Sequence, residues 1–283
     1  MLSSEQIKKR VSCRTYSDRA VAPDKLAELE AYLQANTAGP FGSRVRFRLL
    51  DCGDMAPEEV KALGTYGVIK GAKYFIAGAV AAAGAVAKQP GAMEDYGYTM
   101  EKNILAATAM GLGTCWLGGT FNRTGFAAKM DLQDGEHLPA VTPVGYPGDR
   151  RSIVERVFRF SAGSDNRKPW EELFFDGGFT VPLTEKVAGS YATPLACVRI
   201  GPSASNRQPW RIVKDNGAFH FYLQRTPGYD KLLGEIKLQN VDMGIAMCHF
   251  EISARELGLS GNWVIADPGM SSSGREYIVS WKG

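Results

Sequence analysis

The chain has 283 residues, 45% hydrophobic and 22% charged, with 33 Lys+Arg against 30 Asp+Glu. A net charge of +3 is too small for a nucleic-acid footprint. The composition excludes disorder as the main theme and admits one large domain or two smaller ones.

The first twenty residues, MLSSEQIKKRVSCRTYSDRA, are polar and charged without the apolar stretch of a secretory signal, so a cytoplasmic location is expected. Within them KRVSCRTY (9–16) sets Arg10, Ser12 and Arg14 at alternate positions of a short extended run, which places all three on one side. Two guanidiniums and a hydroxyl there suit a phosphate, because arginine forms bidentate charge-assisted bonds to its oxygens. Solvated arginines at a helix end would give the same pattern. A Pro-initiated helix is expected over residues 23–36, and strands over 44–51 (RVRFRLLD) and 74–80. The apolar run 74–87 (YFIAGAVAAAGAVA) stops at Lys88, short of the ~20 residues that a membrane span needs. It reads as a strand followed by a small-residue segment, and no membrane association is expected.

Residues 95–116 (DYGYTMEKNILAATAMGLGTCW) carry apolar and small residues at helical spacing, with Met100, Ile104, Ala107 and Gly111 on one stripe. The glycine after the last turn supplies a left-handed cap. In the GTCWLGG run that follows, Gly118 and Gly119 permit close approach of the backbone to a flat ring, or else mark a bulge or crossover. Further on come a second Pro-initiated helix over residues 182–191 and the loop GPSASNRQPW (201–210). Small hydroxyls and amides between two prolines make this loop a candidate for holding a planar polar ligand, or a turn leading into the Trp210 strand. Strands over 210–214 and 218–223 flank Asp215, Asn216 and Gly217, a strong hairpin signal. A last strand is expected over 275–281.

Residues 242–263 (DMGIAMCHFEISARELGLSGNW) repeat 95–116 without a gap. Asp95 falls on Asp242, Gly97 on Gly244, Met100 on Met247, Ala107 on Ala254, Gly111 on Gly258 and Trp116 on Trp263. Two copies of one unit are implied, their helices packed as an approximate twofold pair. Helices and strands alternate without a βαβ rhythm, so the fold class is α+β with mixed, antiparallel-leaning sheets.

Five scattered cysteines without a CxxC fit reduced thiols rather than a disulfide framework or zinc, and no metal site is expected. GxGxxG, P-loop, GxSxG and HExxH motifs are absent. His137, His220 and His249 read as structural or surface residues, His249 in the middle of the repeat helix and His220 in a hairpin strand. No catalytic side chain is assigned.

KRVSCRTY, PSASNRQPW and the segment ending GLGTCWLGG together resemble the flavin-dependent nitroreductase family. The internal repeat resembles its tandem-fused subgroup of TM nitroreductase type, in which two halves form an intramolecular pseudo-dimer around a long-helix pair. The resemblance implies halves at residues 1–165 and 166–283 and an FMN cofactor. It implies Arg10, Ser12 and Arg14 at the FMN phosphate and ribityl chain, with Arg167 and Lys168 as a further basic pair there. Lys70 would lie at the pyrimidine edge, and Gly118 and Gly119 beside the isoalloxazine. Pro202, Ser203, Ala204, Ser205 and Asn206 would reach the same flavin from the second half. The implied activity is an NAD(P)H-dependent oxidoreductase that reduces a nitroaromatic, quinone or similar small-molecule acceptor. FMN binding without turnover, reductive dehalogenation or flavin breakdown are the alternatives, and a monomer is favoured.

The chain departs from the family pattern in one respect. At the second-half counterpart of KRVSCRTY stands RKPWEELFF, with Glu171 and Glu172 where a phosphate needs cations. The first-half counterpart of PSASN, residues 38–43, lacks the Ser and Asn pair. One FMN per chain is therefore expected.

Overall fold

The computed structural model describes residues 2–55, 63, 69–81, 91–119, 121–148, 166–229, 236–271 and 273–283. In chain order these form α1 (Ser4–Lys9), α2 (Pro23–Ala35), β1 (Val45–Asp51), β2 (Tyr74–Ala81), α3 (Ala92–Ala109), β3 (Gly113–Thr114), α4 (Arg123–Met130), β4 (Glu136–His137) and β5 (Val141–Gly145). There follow β6 (Phe174–Asp176), α5 (Glu185–Ala188), α6 (Ala192–Arg199), β7 (Trp210–Asp215), β8 (Ala218–Gln224), α7 (Leu238–Glu256), β9 (Asn262–Val264) and β10 (Arg275–Lys282).

The strands form two five-stranded sheets. One has the order β1-β2-β5-β3, with β4 also paired to β2; the other runs β6-β7-β8-β10-β9. Within these sheets every pairing is antiparallel except β6 with β7. The α+β class and the antiparallel bias read from the sequence therefore hold. The β7–β8 hairpin turns where its sequence demands, with Asn216 at φ 47° and Gly217 at φ 79°, the left-handed pair of a type I′ turn.

The two repeat copies become the two longest helices, α3 and α7, which pack against each other between the sheets' cores. Their crossing is set by two glycines. A Cβ on Gly97 would stand 2.0 Å from the Val241 carbonyl oxygen, and one on Gly244 would stand 2.0 Å from the Glu94 carbonyl oxygen. Val241 is the repeat counterpart of Glu94, so the contact is reciprocal in the manner of an isologous interface. Polar side chains stitch the same seam: Asn240 donates to Glu94 at 2.6 Å and Tyr98 to Glu251 at 2.9 Å. Both helices also end alike. Gly111 (φ 76°) and Gly258 (φ 70°) take the left-handed conformation, and the amides of Leu112 and Leu259 return to the carbonyls of Ala107 and Ala254 at 2.9 and 3.0 Å. These are Schellman caps, which satisfy carbonyls that the last turn would otherwise leave open.

The apolar cores cross the seam as well. Ile7 of α1 and Tyr98 and Leu105 of α3 join the cluster built on Phe174, Trp210, Phe221 and Trp281, while Leu238 and Val241 of α7 join the one built on Val45, Phe47, Ile76 and Ile104. The five cysteines are free thiols and all are buried. Among the described residues no helix is long and apolar enough to cross a membrane.

One helix start differs from the sequence reading. The pattern placed it at Pro182, but Pro182 bridges Phe175 and the Leu183 amide donates to the Phe174 carbonyl at 3.0 Å. Thr184 caps α5 instead, accepting from the Val187 amide, and a 3-10 turn, Gly189–Tyr191, leads into α6. A side-chain cap together with sheet pairing at the proline outweighs the proline signal. The expected small-residue segment after β2 and the expected border after residue 165 lie outside the described residues.

In an ordinary helix Gly→Ala is stabilising by up to ~1 kcal/mol. At the crossing the sign reverses, because the new methyl meets backbone that cannot yield. Gly97→Ala and Gly244→Ala should each destabilise the protein by about 1–3 kcal/mol, read as a lowered denaturant midpoint. A midpoint at or above that of the wild type would show that the helices are not in contact there.

Candidate functional site

The segment after α1 runs extended beside the turn that follows α3. Ser12 bridges Thr114 in parallel, and the Cys13 amide donates to the Thr114 carbonyl at 2.7 Å. Two residues on, the Lys70 amide donates to the Arg14 carbonyl at 2.8 Å and the Tyr16 amide to the Lys70 carbonyl at 2.9 Å. Arg10, Ser12, Arg14 and Lys70 are thus brought to one strip next to Gly113 and Thr114, with Lys70 exposed at its edge. Three guanidinium nitrogens of the strip, Nε and Nη1 of Arg10 and Nη1 of Arg14, are buried without a hydrogen-bond partner. Buried cationic donors left without a hydrogen bond are costly and normally meet an anion; Arg10 has the Glu101 carboxylate 3.6 Å from its Nε.

The loop at 202–208 is held in a strained conformation. Ser205, Asn206 and Gln208 have φ of 49°, 53° and 49°. For non-glycine residues this region costs ~1 kcal/mol or more each. A side-chain lattice holds it there: the Gln208 amide donates to Ser203 Oγ at 2.9 Å, and Gln208 Oε1 accepts from the Lys168 amide at 2.8 Å. Arg167 Nη1 donates to Asn206 Oδ1 at 2.8 Å, and Asn206 Nδ2 to the Asn166 carbonyl at 2.7 Å. The basic pair Arg167 and Lys168 is therefore joined directly to the loop. Burial, with Arg211 and Arg207 nearby, lowers the Lys168 pKa below its ordinary value.

The turn that carries Gly118 and the loop meet across the first turns of α7. A Cβ on Gly118 would touch Leu238 at 3.0 Å, while Gly119 faces open space. Four residues along α7, Asp242 Oδ1 accepts from the Ala204 amide at 2.9 Å. Leu238 and Asp242 share one helix face at this spacing, so Gly118 and Ala204, drawn from the two sides of the molecule, converge on it. Trp116 and Ala204 also pack on the same apolar cluster as Leu238.

Two features of the site carry no local sequence signal. The first is a pair of aspartates at equivalent repeat positions with opposite outcomes. Asp95 holds the corresponding first-half loop with both oxygens, accepting from the amides of Phe41 at 2.9 Å and Ser43 at 2.7 Å. Burial raises its pKa and those amides pull it back. Among the described residues Asp242 accepts only from the Ala204 amide, and its Oδ2 is buried without a hydrogen-bond partner. Burial pushes its carboxyl up to about 8. Their identity at matched positions in the repeat was the available clue. The second feature is Glu101, fully buried at the seam, which accepts from Trp116 Nε1 at 2.7 Å and lies 2.9 Å from His249 Nε2. His249 reads as structural in the sequence, where Glu101 lies 148 residues away. Among the described residues no group of three or more His, Cys, Asp or Glu could hold a metal ion.

Asp242 makes stability depend on pH. The folded protein keeps its proton up to about pH 8, whereas the unfolded chain releases it near the ordinary value of 3.8. Its contribution is full below about pH 4 and is lost as pH rises toward 8. Asp242→Asn retains the acceptor for Ala204 and cannot ionise. Relative to wild type, the ligand-free variant should gain about 2–4 kcal/mol between pH 4 and pH 8.5. Parallel pH–stability profiles for the two proteins would refute the assignment.

The family described as "Putative TM nitroreductase" matches residues 3–254. Among solved structures, one described as a putative nitroreductase from Thermotoga maritima shares the fold, with a TM-score of 0.61 at 19% identity over 99% of this chain and 93% of that one. Another, described as a putative nitroreductase in complex with FMN from Desulfovibrio desulfuricans, is 24% identical over 54% of this chain and 92% of its own, with a TM-score of 0.40. No curated protein matches the chain. With the family match running over α3, the buried arginine strip, the strained loop and all but the last two residues of α7, the chain belongs to the TM nitroreductase family.

Proposed function

We propose that the protein is an FMN-dependent oxidoreductase that passes hydride from NAD(P)H to a nitroaromatic, quinone or similar acceptor, with one FMN held per chain between tandem halves. Three buried guanidinium nitrogens without a hydrogen-bond partner, on Arg10 and Arg14, carry this reading, one of them, Arg10 Nε, lying 3.6 Å from the Glu101 carboxylate. They fit a phosphate, which would supply the acceptors they lack. FMN, once bound, supplies the hydride chemistry at its N5.

The chain's own part is binding and orientation. Arg10 and Arg14 donate to the phosphate, and Ser12 offers a hydroxyl to the neighbouring ribityl chain. Gly119, with open space at its Cβ position, leaves room for a flat ring beside the backbone. The 202–206 loop, fixed through Asp242 and Gln208, supplies main-chain and side-chain groups from the opposite side. Lys70, exposed at the strip's edge, is placed to bring positive charge to the pyrimidine edge, where charge grows on reduction. Arg167 acts through the loop, since its guanidinium is bonded to Asn206, whereas Lys168 meets the loop through its main-chain amide and sets its ammonium 3.9 Å from Glu172. The second-half counterpart of the strip presents Glu171 and Glu172, both exposed, and repels a second phosphate. The fused halves make a monomer in the cytosol the expected form.

The purified protein should show flavin bands in visible absorption that bleach on anaerobic addition of NADH or NADPH, and denaturation should release one FMN per chain. A colourless protein that ignores added FMN refutes the reading, and bound flavin that neither nucleotide reduces refutes the turnover. Arg14→Ala should cost about 1.5–3 kcal/mol of FMN affinity, the range for a hydrogen bond to a charged group, while Glu172→Ala should leave flavin content unchanged. Equal flavin retention in Arg14→Ala and wild type would remove Arg14 from the phosphate site.

A further inference from the structure

Glu101 lies in the middle of α3 with its side chain fully buried, and three groups from separate segments converge on its carboxylate. Oε1 is 2.9 Å from His249 Nε2 and 3.6 Å from Arg10 Nε, and Oε2 accepts from Trp116 Nε1 at 2.7 Å. The other ring nitrogen of His249, Nδ1, lies 2.9 Å from the Cys197 carbonyl oxygen. A carbonyl only accepts, so Nδ1 carries a proton. Nε2 then shares a single proton with Glu101. Whether that proton sits on the ring or on the carboxyl, the Glu101–His249 pair is neutral as a whole. Arg10 is therefore anchored beside a carboxylate that does not cancel its charge. Its Nε and Nη1 remain buried without a hydrogen-bond partner.

We propose that Glu101, balanced by His249, is a positioning residue that holds the Arg10 guanidinium for the phosphate of the flavin while leaving its charge available. The inference rests on the FMN reading above. An ordinary buried Arg–Glu pair would neutralise itself and attract no anion. Here the histidine, contributed by the other long helix, takes up the carboxylate's charge. Through Trp116 the same carboxylate also holds the residue two places before Gly118, so one side chain sets both the phosphate end and the ring end of the site.

Glu101→Gln isolates the effect. The amide oxygen can still accept from Trp116 Nε1, and the amide nitrogen can donate to Nε2 of a neutral His249, so the helix seam stays satisfied. Only Arg10 loses its partner and meets a donor instead. Dissociation constants of FMN and of riboflavin, which lacks the phosphate, are to be measured by flavin fluorescence on ligand-free wild type, Glu101→Gln, Arg10→Met and the double variant. Glu101→Gln is expected to melt near the wild-type temperature. Its preference for FMN over riboflavin should fall about tenfold or more, the size of one charge-assisted hydrogen bond, with riboflavin affinity unchanged. Arg10→Met should lose a similar factor, and the double variant no more than Arg10→Met alone.

A preserved FMN preference in either single variant overturns the proposal. So does an equal weakening of both flavins, which is what a purely structural role would give, or a Glu101→Gln chain that fails to fold. A wild type that binds neither flavin, or binds both equally, would instead refute the cofactor reading of the arginine strip, and this inference with it.

Discussion

The crossing of α3 and α7 at Gly97 and Gly244 is the constraint on which the rest of the structure depends. With hydrogen in place of a methyl on each side, the backbones come close enough for carbonyl oxygens to sit where Cβ atoms would be. That proximity lets Glu101 and His249, on different helices, lie 2.9 Å apart out of water, and it brings Asn240 to Glu94 and Tyr98 to Glu251. It also fixes Asp95 and Asp242, each of which carries a loop. The loops, the glycine turn and the arginine strip are thus all hung on one rigid seam. A site built in this way needs few side chains devoted to holding it open, because its walls are set by the distance between two helices.

The two repeat copies have diverged in their charges while keeping their shape. Asp95 spends both oxygens on amides, and the loop it holds is spare and glycine-rich. Asp242 spends one and keeps the other dry, while the loop above it carries three left-handed non-glycine residues. Strain and an unsatisfied carboxyl are both unfavourable for stability, and both gather at the 202–208 loop and its Asp242 anchor. Folded proteins tolerate such costs where geometry serves a ligand. The cluster of Phe219, Phe221, Phe250, Trp263 and Trp281 has the character of an ordinary aromatic core.

Much of this was readable before any coordinates. The repeat, the helix pair, the Schellman glycines at Gly111 and Gly258, the Asn216–Gly217 hairpin and the strands around it follow from spacing and from residues whose backbone preferences act over a few positions. Residues 38–43 and the PSASN loop correspond in chain order, and the paired aspartates that hold them give the correspondence a physical basis. The misplaced helix start at Pro182 shows the limit of local rules. Proline is favourable at a first turn, yet here pairing with Phe175 and the Thr184 cap decide the matter.

What the sequence determined by itself was the architecture: an α+β fold, a central pair of repeat-related helices with their glycine caps, and a tight hairpin. Only the tertiary structure decided which groups are charged, strained or left without partners. His249 acquires a role because Glu101 reaches it from the other helix, and Asp242 differs from Asp95 because one amide is present where two were possible. The reason is one of range. Turn chemistry and periodicity act between neighbours in the chain, whereas desolvation and charge pairing depend on what lies a few ångströms away in space, which for Glu101 is a residue 148 positions distant.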